Sequence, residues 1–265
     1  MNFVLGKDVR SIEKQIEMFK DFSDGILKYF QVFRLAREFN LWKYFYISGF
    51  LSFLAGALIL YFAYLFGDNL GNSIFSWYKW DFGSKFIESI EDWVGGIIIA
   101  IFAVLIFKYV VLIVSAPIMS FLSEQLERQL THYPPHSSFT LKQFLDDLVR
   151  GIIINLRNIT RELLIVGVLL LLGLIPVFTI FIPILIFIVQ SYYAGFGNLD
   201  YFLERHYKVR GSVRFVHNHR FLAIGNGAVF LVLLMVPVLG WFVAPFFGTI
   251  ASTACAVPRL ERAQK

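Results

Sequence analysis

Two long apolar stretches interrupted by prolines dominate the second half of the chain. The first, Leu163–Val189, has no charged residue and contains Pro176 and Pro183. Proline removes a backbone donor and clashes with the preceding turn, so each one is expected to interrupt a helix. The pattern therefore predicts two helical arms, Leu163–Ile175 and Ile184–Ala194, joined by a bend.

The second stretch repeats this design. An uncharged arm, Phe221–Val236, leads to a predicted bend at Pro237–Pro245 and a return arm at Phe246–Val257. Each pair follows a basic segment, Leu141–Arg161 or Lys208–Arg220. We interpret the two pairs as a degenerate internal repeat. Proline-interrupted apolar segments at corresponding positions of a repeat are a sequence pointer to a transport site.

The length of the arms bears on how deeply these pairs enter a membrane. An arm of about 12 residues rises about 18 Å, whereas the hydrocarbon core of a bilayer is about 30 Å thick. The pattern favours re-entrant hairpins that enter and leave on the same side. The alternative is that each pair contains kinked but complete transmembrane helices.

The first half of the chain predicts two full spans, Tyr44–Gly67 and Trp93–Val114. Before them, residues 8–39 show apolar side chains at three- and four-residue spacing opposite a charged face, which is typical of an amphipathic helix. Ser23-Asp24-Gly25 is expected to break or kink it. Such a helix either lies in the membrane interface or packs on the protein's own cytoplasmic helices.

The predicted fold is therefore all-α and integral to the membrane. It combines two full transmembrane helices, two proline-bent re-entrant helical hairpins and cytoplasmic amphipathic helices. Along the chain we expect an amphipathic N-terminal region (1–40), a membrane permease domain (41–258) and a basic tail (259–265).

Charge sets the orientation. Lys and Arg number eight in residues 1–43, five in 115–162, five in 198–220 and three in 259–265, but only two in the loop 68–92. Since positive residues concentrate on the cytoplasmic side, both termini and the bases of both hairpins are predicted there. Six complete spans would give the same parity.

Composition limits the class of protein. The chain is 57% hydrophobic and only 16% charged, against about 25% charged in soluble proteins. This composition indicates a membrane protein in a lipid bilayer, so we attribute the net charge of +5 to the cytoplasmic face and expect no nucleic-acid partner. The chain has neither a phosphate-binding P-loop motif nor an H-E-x-x-H motif. We expect no enzyme activity, no cofactor and no metal site.

A site that binds an anion needs hydrogen-bond donors and positively charged groups. The segment Asn40-Leu41-Trp42-Lys43 precedes the first span and offers backbone donors at a helix N-terminus beside a lysine, an arrangement that suits oxyanions. We predict that it binds an anion. The alternative is that Trp42 and Lys43 are interfacial anchors.

A row of arginines offers a second candidate. Arg150, Arg157 and Arg161 are spaced by seven and four residues, so they share one helical face. That face is predicted to line a vestibule that concentrates anions, and Arg220 is assigned to the same pathway. The alternatives are contact with lipid headgroups or pairing with Glu124 and Glu127.

Several motifs resemble one family in their order and spacing. The sequence has Ser115-Ala116-Pro117 followed by Leu122-Ser123-Glu124-Gln125-Leu126-Glu127, and further on Asp147-x-x-Arg150, Ile175-Pro176, Asp200-Tyr201…His206, Arg220 and Val236-Pro237…Ala244-Pro245. From Leu41 to Val257 the chain resembles the CysZ-type sulfate permeases, which belong to the larger family of etoposide-induced-protein domains.

The resemblance implies a multi-pass protein of the bacterial inner membrane that passes sulfate inward for cysteine synthesis and forms a homo-oligomer. Glu124, Gln125 and Glu127 of the matching motif are placed with the arginines in the predicted pathway. The family has an adjacent pair of arginines at the entry to the first span, where it binds sulfate. This chain has only Lys43 there.

The predicted function is a permease or channel-like path for sulfate or a related small oxyanion. The alternative is a non-transporting membrane scaffold or bilayer-shaping protein, in which shallow hairpins wedge one leaflet.

Overall fold

The structure is a computed structural model that describes residues 2–54, 56–58, 61, 114–131, 141–175, 177–236 and 238–264. This part of the chain is all helical, as predicted. Its helices are α1 (Asn2–Glu38), α2 (Trp42–Leu58), α3 (114–131), α4 (Leu141–Gly173), α5 (Ile182–Leu203), α6 (Val209–Asn218), α7 (Arg220–Leu234) and α8 (Leu239–Gln264).

The chain divides into two compact units. One consists of Met1–Phe45 with Ile118–Lys265, and the other is Tyr46–Pro117. In the second unit, the Ser48 and Ser115 hydroxyls are 2.7 Å apart and hydrogen-bonded. The predicted loop 68–92 and nearly all of the predicted span Trp93–Val114 lie outside the described residues, as does the end of the predicted span Tyr44–Gly67.

The first bent pair is formed by α4 and α5. The bend lies at residues 174–181, and Pro183 occupies the first turn of α5, where a missing backbone N–H costs nothing. Large apolar side chains cover the bend, with Leu174 79% and Val177 74% exposed. The Thr179 hydroxyl donates to the Gly173 carbonyl at 2.9 Å. The polar side chain of the bend is thus satisfied within the protein.

The second bent pair is formed by α7 and α8. Its bend is shorter than predicted, because α8 already begins at Leu239 and contains Pro245. Val238 takes a left-handed backbone φ of 63°, a conformation that glycine adopts more readily. A Cβ on Gly240 would lie 2.0 Å from the Leu233 carbonyl oxygen, so only glycine permits so tight a return.

The predicted arm Phe221–Val236 matches α7 (Arg220–Leu234) to within two residues, but the predicted lengths of the other arms are wrong. The helix α5 continues past the apolar run to Leu203, because its charged end is buried against partners from α4. The predicted helix Leu141–Arg161 and the first arm form one continuous helix, α4. Among the described residues, the helices long and apolar enough to cross a bilayer are Ile182–Leu203 and Leu239–Arg262, which contain the predicted return arms. The depth that each hairpin reaches stays a prediction.

Glycines bring the hairpins together. Cβ atoms added to Gly195 and Gly227 would each lie 1.8 Å from a backbone carbonyl oxygen, that of Ala223 and Ser191 respectively. The α5 and α7 backbones therefore touch, in the manner of small-residue contacts between membrane helices. A hydrogen bond of 2.8 Å between the buried Asn198 and Asn226 side chains closes the same contact.

The N-terminal helix also packs on the second hairpin. It runs without interruption through Ser23–Gly25, so the predicted break is wrong. Gly25 instead allows close contact with α7, since a Cβ there would lie 2.7 Å from the backbone nitrogen of Asn226. Packing on the protein's own helices is thus observed for one face of α1. The other face exposes Phe19 and Phe30, and its predicted place in the membrane interface stays a prediction.

Candidate functional site

A buried ion pair ties the base of the first hairpin together. Arg150 on α4 donates to both carboxylate oxygens of Asp200 on α5, at 3.0 and 3.2 Å. The same guanidinium donates to the Ser212 hydroxyl at 2.6 Å and to the Tyr207 carbonyl at 3.1 Å. Four of its five N–H donors are used by protein groups, so Arg150 holds α4, α5 and α6 together.

A second charged group joins α3 to the end of α5. Glu127 accepts from Arg205 at 2.9 Å and lies 2.5 Å from the His206 ring nitrogen Nε2. Burial by itself would raise the pKa of Glu127, but the His206 hydrogen bond and the Arg205 charge outweigh it and lower that pKa. Arg205 also donates to the Ser123 hydroxyl at 2.8 Å. This carboxylate is held in its charged form.

Glu204 differs from its neighbours. It accepts a hydrogen bond from the Ser120 hydroxyl, and no cation lies within ion-pair distance of it in the described part of the chain. Burial raises the pKa of Glu204 to about 7, although the Ser120 hydrogen bond opposes the shift. This group therefore titrates near neutral pH.

Glu124 and Gln125 of the α3 motif are partly exposed. Glu124 pairs with Arg128 one turn further along α3, and Gln125 is half-buried. The alternative in which Glu124 and Glu127 pair with the arginines of α4 is wrong. Glu124 pairs with Arg128, and Glu127 pairs with Arg205 and His206.

Three predicted pathway arginines interact electrostatically with one tyrosine. Arg157 and Arg161 of α4 and Arg220 of α7 all interact electrostatically with Tyr192 of α5. Burial and then the charge of Arg161 lower the pKa of Arg157. None of the three forms an ion pair with a described residue. We call Arg157, Arg161, Arg220 and Tyr192 the basic cluster.

The predicted anion-binding segment lies at the junction of α1 and α2. Asn40 is exposed and has a φ of 52°, while Leu41 is fully buried and its amide donates to the Ala36 carbonyl at 2.9 Å. Trp42 packs against Phe246 with ring centroids 5.4 Å apart. Lys43 is exposed, its ammonium 5.1 Å from the centre of the Tyr44 ring. In this segment, the exposed side chains that can donate hydrogen bonds are those of Asn40 and Lys43.

Sequence reasoning missed four charged residues of this region as site residues: Asp200, Glu204, Arg205 and His206. A signal was present, since they are the first charged residues after a stretch, Leu163–Leu199, that has no charged residue. Charged residues at the end of an apolar helix need partners, and such clusters mark functional sites. Within the described ranges, no group of three or more His, Cys, Asp or Glu residues is suited to a metal ion.

These features define a class of protein. Apolar, proline-bent helix pairs with exposed apolar bends, built on a layer of buried ion pairs, form an all-helical integral membrane protein.

Comparison with known families makes this specific. Residues 28–245 match the family described as Sulfate transporter CysZ/Etoposide-induced protein 2.4. The chain belongs to this family, which is one of transporters, and the family that its motifs indicated is confirmed. Comparison with curated protein sequences gives no match.

Proposed function

We propose that the protein is a membrane permease or channel-like path for sulfate or a related small oxyanion. In this proposal it works as a multi-pass homo-oligomer in the bacterial inner membrane and supplies sulfur for cysteine synthesis. Family membership supports transport, and the basic cluster supports an anionic substrate.

The observation that carries the proposal is the contrast between two groups of arginines. Arg150, Arg205 and Arg259 each form an ion pair with a carboxylate. Arg157, Arg161 and Arg220 have no carboxylate partner among the described residues, although they interact with the same tyrosine. The charge of Arg161 lowers the pKa of Arg157, so an anion bound beside these arginines would relieve an unfavourable interaction.

The chemistry of the cluster suits a tetrahedral oxyanion. A guanidinium presents parallel N–H donors that match two oxygens of such an anion, and a tyrosine hydroxyl adds a further donor. Arg157 and Tyr192 are half-buried, which strengthens their interactions with an anion relative to water. The cluster would raise the local anion concentration at the base of the hairpins.

The other predicted pathway residues receive different roles in this proposal. Arg150 and Glu127 are each bound by several protein groups, so we assign them to positioning the helices that carry the cluster. Asn40 and Lys43 at the start of α2 are assigned a second anion contact, since their exposed donors lie at a helix N-terminus.

The test is uptake of radiolabelled sulfate into proteoliposomes containing the purified full chain. We expect protein-dependent flux, reduced about tenfold or more in the double variant Arg157→Gln/Arg161→Gln, because each charge-assisted hydrogen bond is worth about 1.5–3 kcal/mol. The matched control is Arg34→Gln/Arg37→Gln, which removes two exposed arginines of α1. The control should retain at least about half of the flux, as expected for surface substitutions away from the site.

Two outcomes contradict the proposal. Absence of flux for sulfate, phosphate and thiosulfate alike would remove the transport function and favour the membrane scaffold. Equal loss of flux in the double variant and its control would show that net charge, and not the basic cluster, governs uptake.

A further inference from the structure

The short helix α6 has two chemically different faces. Ser212, Phe215 and Val216 are buried against the rest of the protein. Arg210, Arg214 and His217, spaced by four and three residues, follow one exposed stripe on the opposite face. Lys208, at the N-cap of α6, is also exposed. We call Lys208, Arg210, Arg214 and His217 the α6 basic face.

The α6 basic face is unusually free of opposite charge. No Asp or Glu occurs between Arg205 and Arg220, and none of its members forms an ion pair with a described residue. By contrast, two carboxylates of α1, Asp21 and Asp24, bind Arg259 on α8. The charges of this contact between α1 and α8 are matched, whereas α6 presents its cations outward.

The position of α6 places these cations beside the membrane. Only residues 204–208 separate it from the end of α5, and only His219 separates it from the start of α7. Both neighbours are apolar helices of the two hairpins. Arg150 donates hydrogen bonds to Ser212 in α6 and to Tyr207 just before it. At the other end of α6, His219 lies 2.9 Å from the Asp21 carboxylate. With both ends tied to membrane helices, α6 cannot move far from the headgroup layer.

We propose that the α6 basic face binds the phosphate headgroups of anionic phospholipids in the cytoplasmic leaflet. Clusters of Lys and Arg next to membrane helices attract anionic lipids, and guanidinium groups pair with phosphate through two N–H donors. Bound headgroups would hold the junction between the two hairpins at a fixed depth. This site is separate from the basic cluster and does not depend on the transported anion.

The experiment measures binding of a fluorescent short-chain phosphatidylglycerol to the purified full chain in mild detergent. The triple variant Lys208→Gln/Arg210→Gln/Arg214→Gln should bind about tenfold more weakly or worse, given the usual contribution of each basic residue at an anionic surface. The control, Arg262→Gln, removes a positive charge from an exposed position near the end of α8 and should stay within about twofold of the wild type.

Competitors identify the ligand. Phosphatidylcholine and millimolar inorganic phosphate should fail to displace the probe, and so should a soluble acidic peptide. Displacement by inorganic phosphate would indicate a free-anion site, displacement by the peptide would indicate an acidic protein partner, and either result would overturn the proposal. Equal weakening in the control would overturn it too.

Folding is checked by thermal melting without lipid. If the triple variant does not fold, the single variant Arg214→Gln is used, with an expected loss of about threefold or more. Unchanged affinity in that variant would also count against the site. Sulfate uptake by either variant reports separately on the proposed transport function.

Discussion

At the residue scale, the chain's arginines differ according to their partners. The sequence predicted that Arg150, Arg157 and Arg161 share one helical face. In the structure they have different partners. Arg150 is neutralised by Asp200, whereas the other two join Arg220 at Tyr192. Spacing along a helix could predict the shared face. It could not predict the carboxylate that arrives from 50 residues further along the chain.

Glu204 gives a prediction at this scale. Its pKa is raised to about 7 in the folded protein against an ordinary value of about 4.3, so the folded state binds the proton more tightly. Stability from this group is fully present at low pH and is lost as pH rises from about 4.5 to about 7. The variant Glu204→Gln should flatten this dependence and be more stable than the wild type above pH 7, by about 4 kcal/mol at most.

The measurement is thermal or urea unfolding in detergent across pH 5 to 8. Glu261→Gln, at an exposed position of α8, is the control and should follow the wild-type curve. Parallel curves for the wild type and Glu204→Gln would show that the Glu204 carboxyl is ionised throughout and that its burial has little effect.

At the element scale, the prolines were informative but not decisive. The sequence predicted a bend at each Pro-rich break, and both bends exist. Pro183 begins a helix and Pro245 lies inside one, because the first turn of a helix tolerates a missing donor and neighbouring membrane helices can compensate for one further in. Apolar pattern therefore predicted which segments are helices, and tertiary contacts decided where each helix ends.

The contact between α5 and α7 provides the prediction for this scale. Gly195→Ala should destabilise the fold by several kcal/mol, because its Cβ would lie 1.8 Å from the Ala223 carbonyl oxygen and overpacking of a core commonly costs about 1–3 kcal/mol or more. The matched control is Gly197→Ala in the same helix, where a Cβ meets nothing within 4 Å. The control should be neutral or slightly stabilising, since alanine favours helix over glycine.

Melting of both variants in detergent checks this prediction. Equal melting temperatures for Gly195→Ala and Gly197→Ala would mean that α5 and α7 do not make backbone contact. The sequence alone could not have supplied this contrast, since the two glycines are two residues apart in the same apolar helix and differ only in what faces them.

At the scale of the whole molecule, composition and charge were enough to predict an all-helical membrane protein, and motif order was enough to indicate its family. Arm length was a poor guide to depth, because α5 and α8 are long enough to cross a bilayer. The two bends give better support for hairpins that enter and leave the membrane on the same side. Val177 and Met235 are 74% and 70% exposed, and large apolar side chains gathered in a bend favour lipid over water.

The most direct test is therefore cysteine labelling of the two bends. Single cysteines at Val177 and at Met235 are placed in a Cys255→Ser background and treated with a membrane-impermeant maleimide on intact spheroplasts.

Asn72→Cys, in the loop predicted outside, and Lys208→Cys, at the cytoplasmic base, are the controls. Asn72→Cys should react at once, and Lys208→Cys only after lysis. The account predicts that both bend cysteines remain unlabelled from outside. Rapid labelling of either one in intact spheroplasts would show that its hairpin crosses the bilayer completely, and would contradict the account.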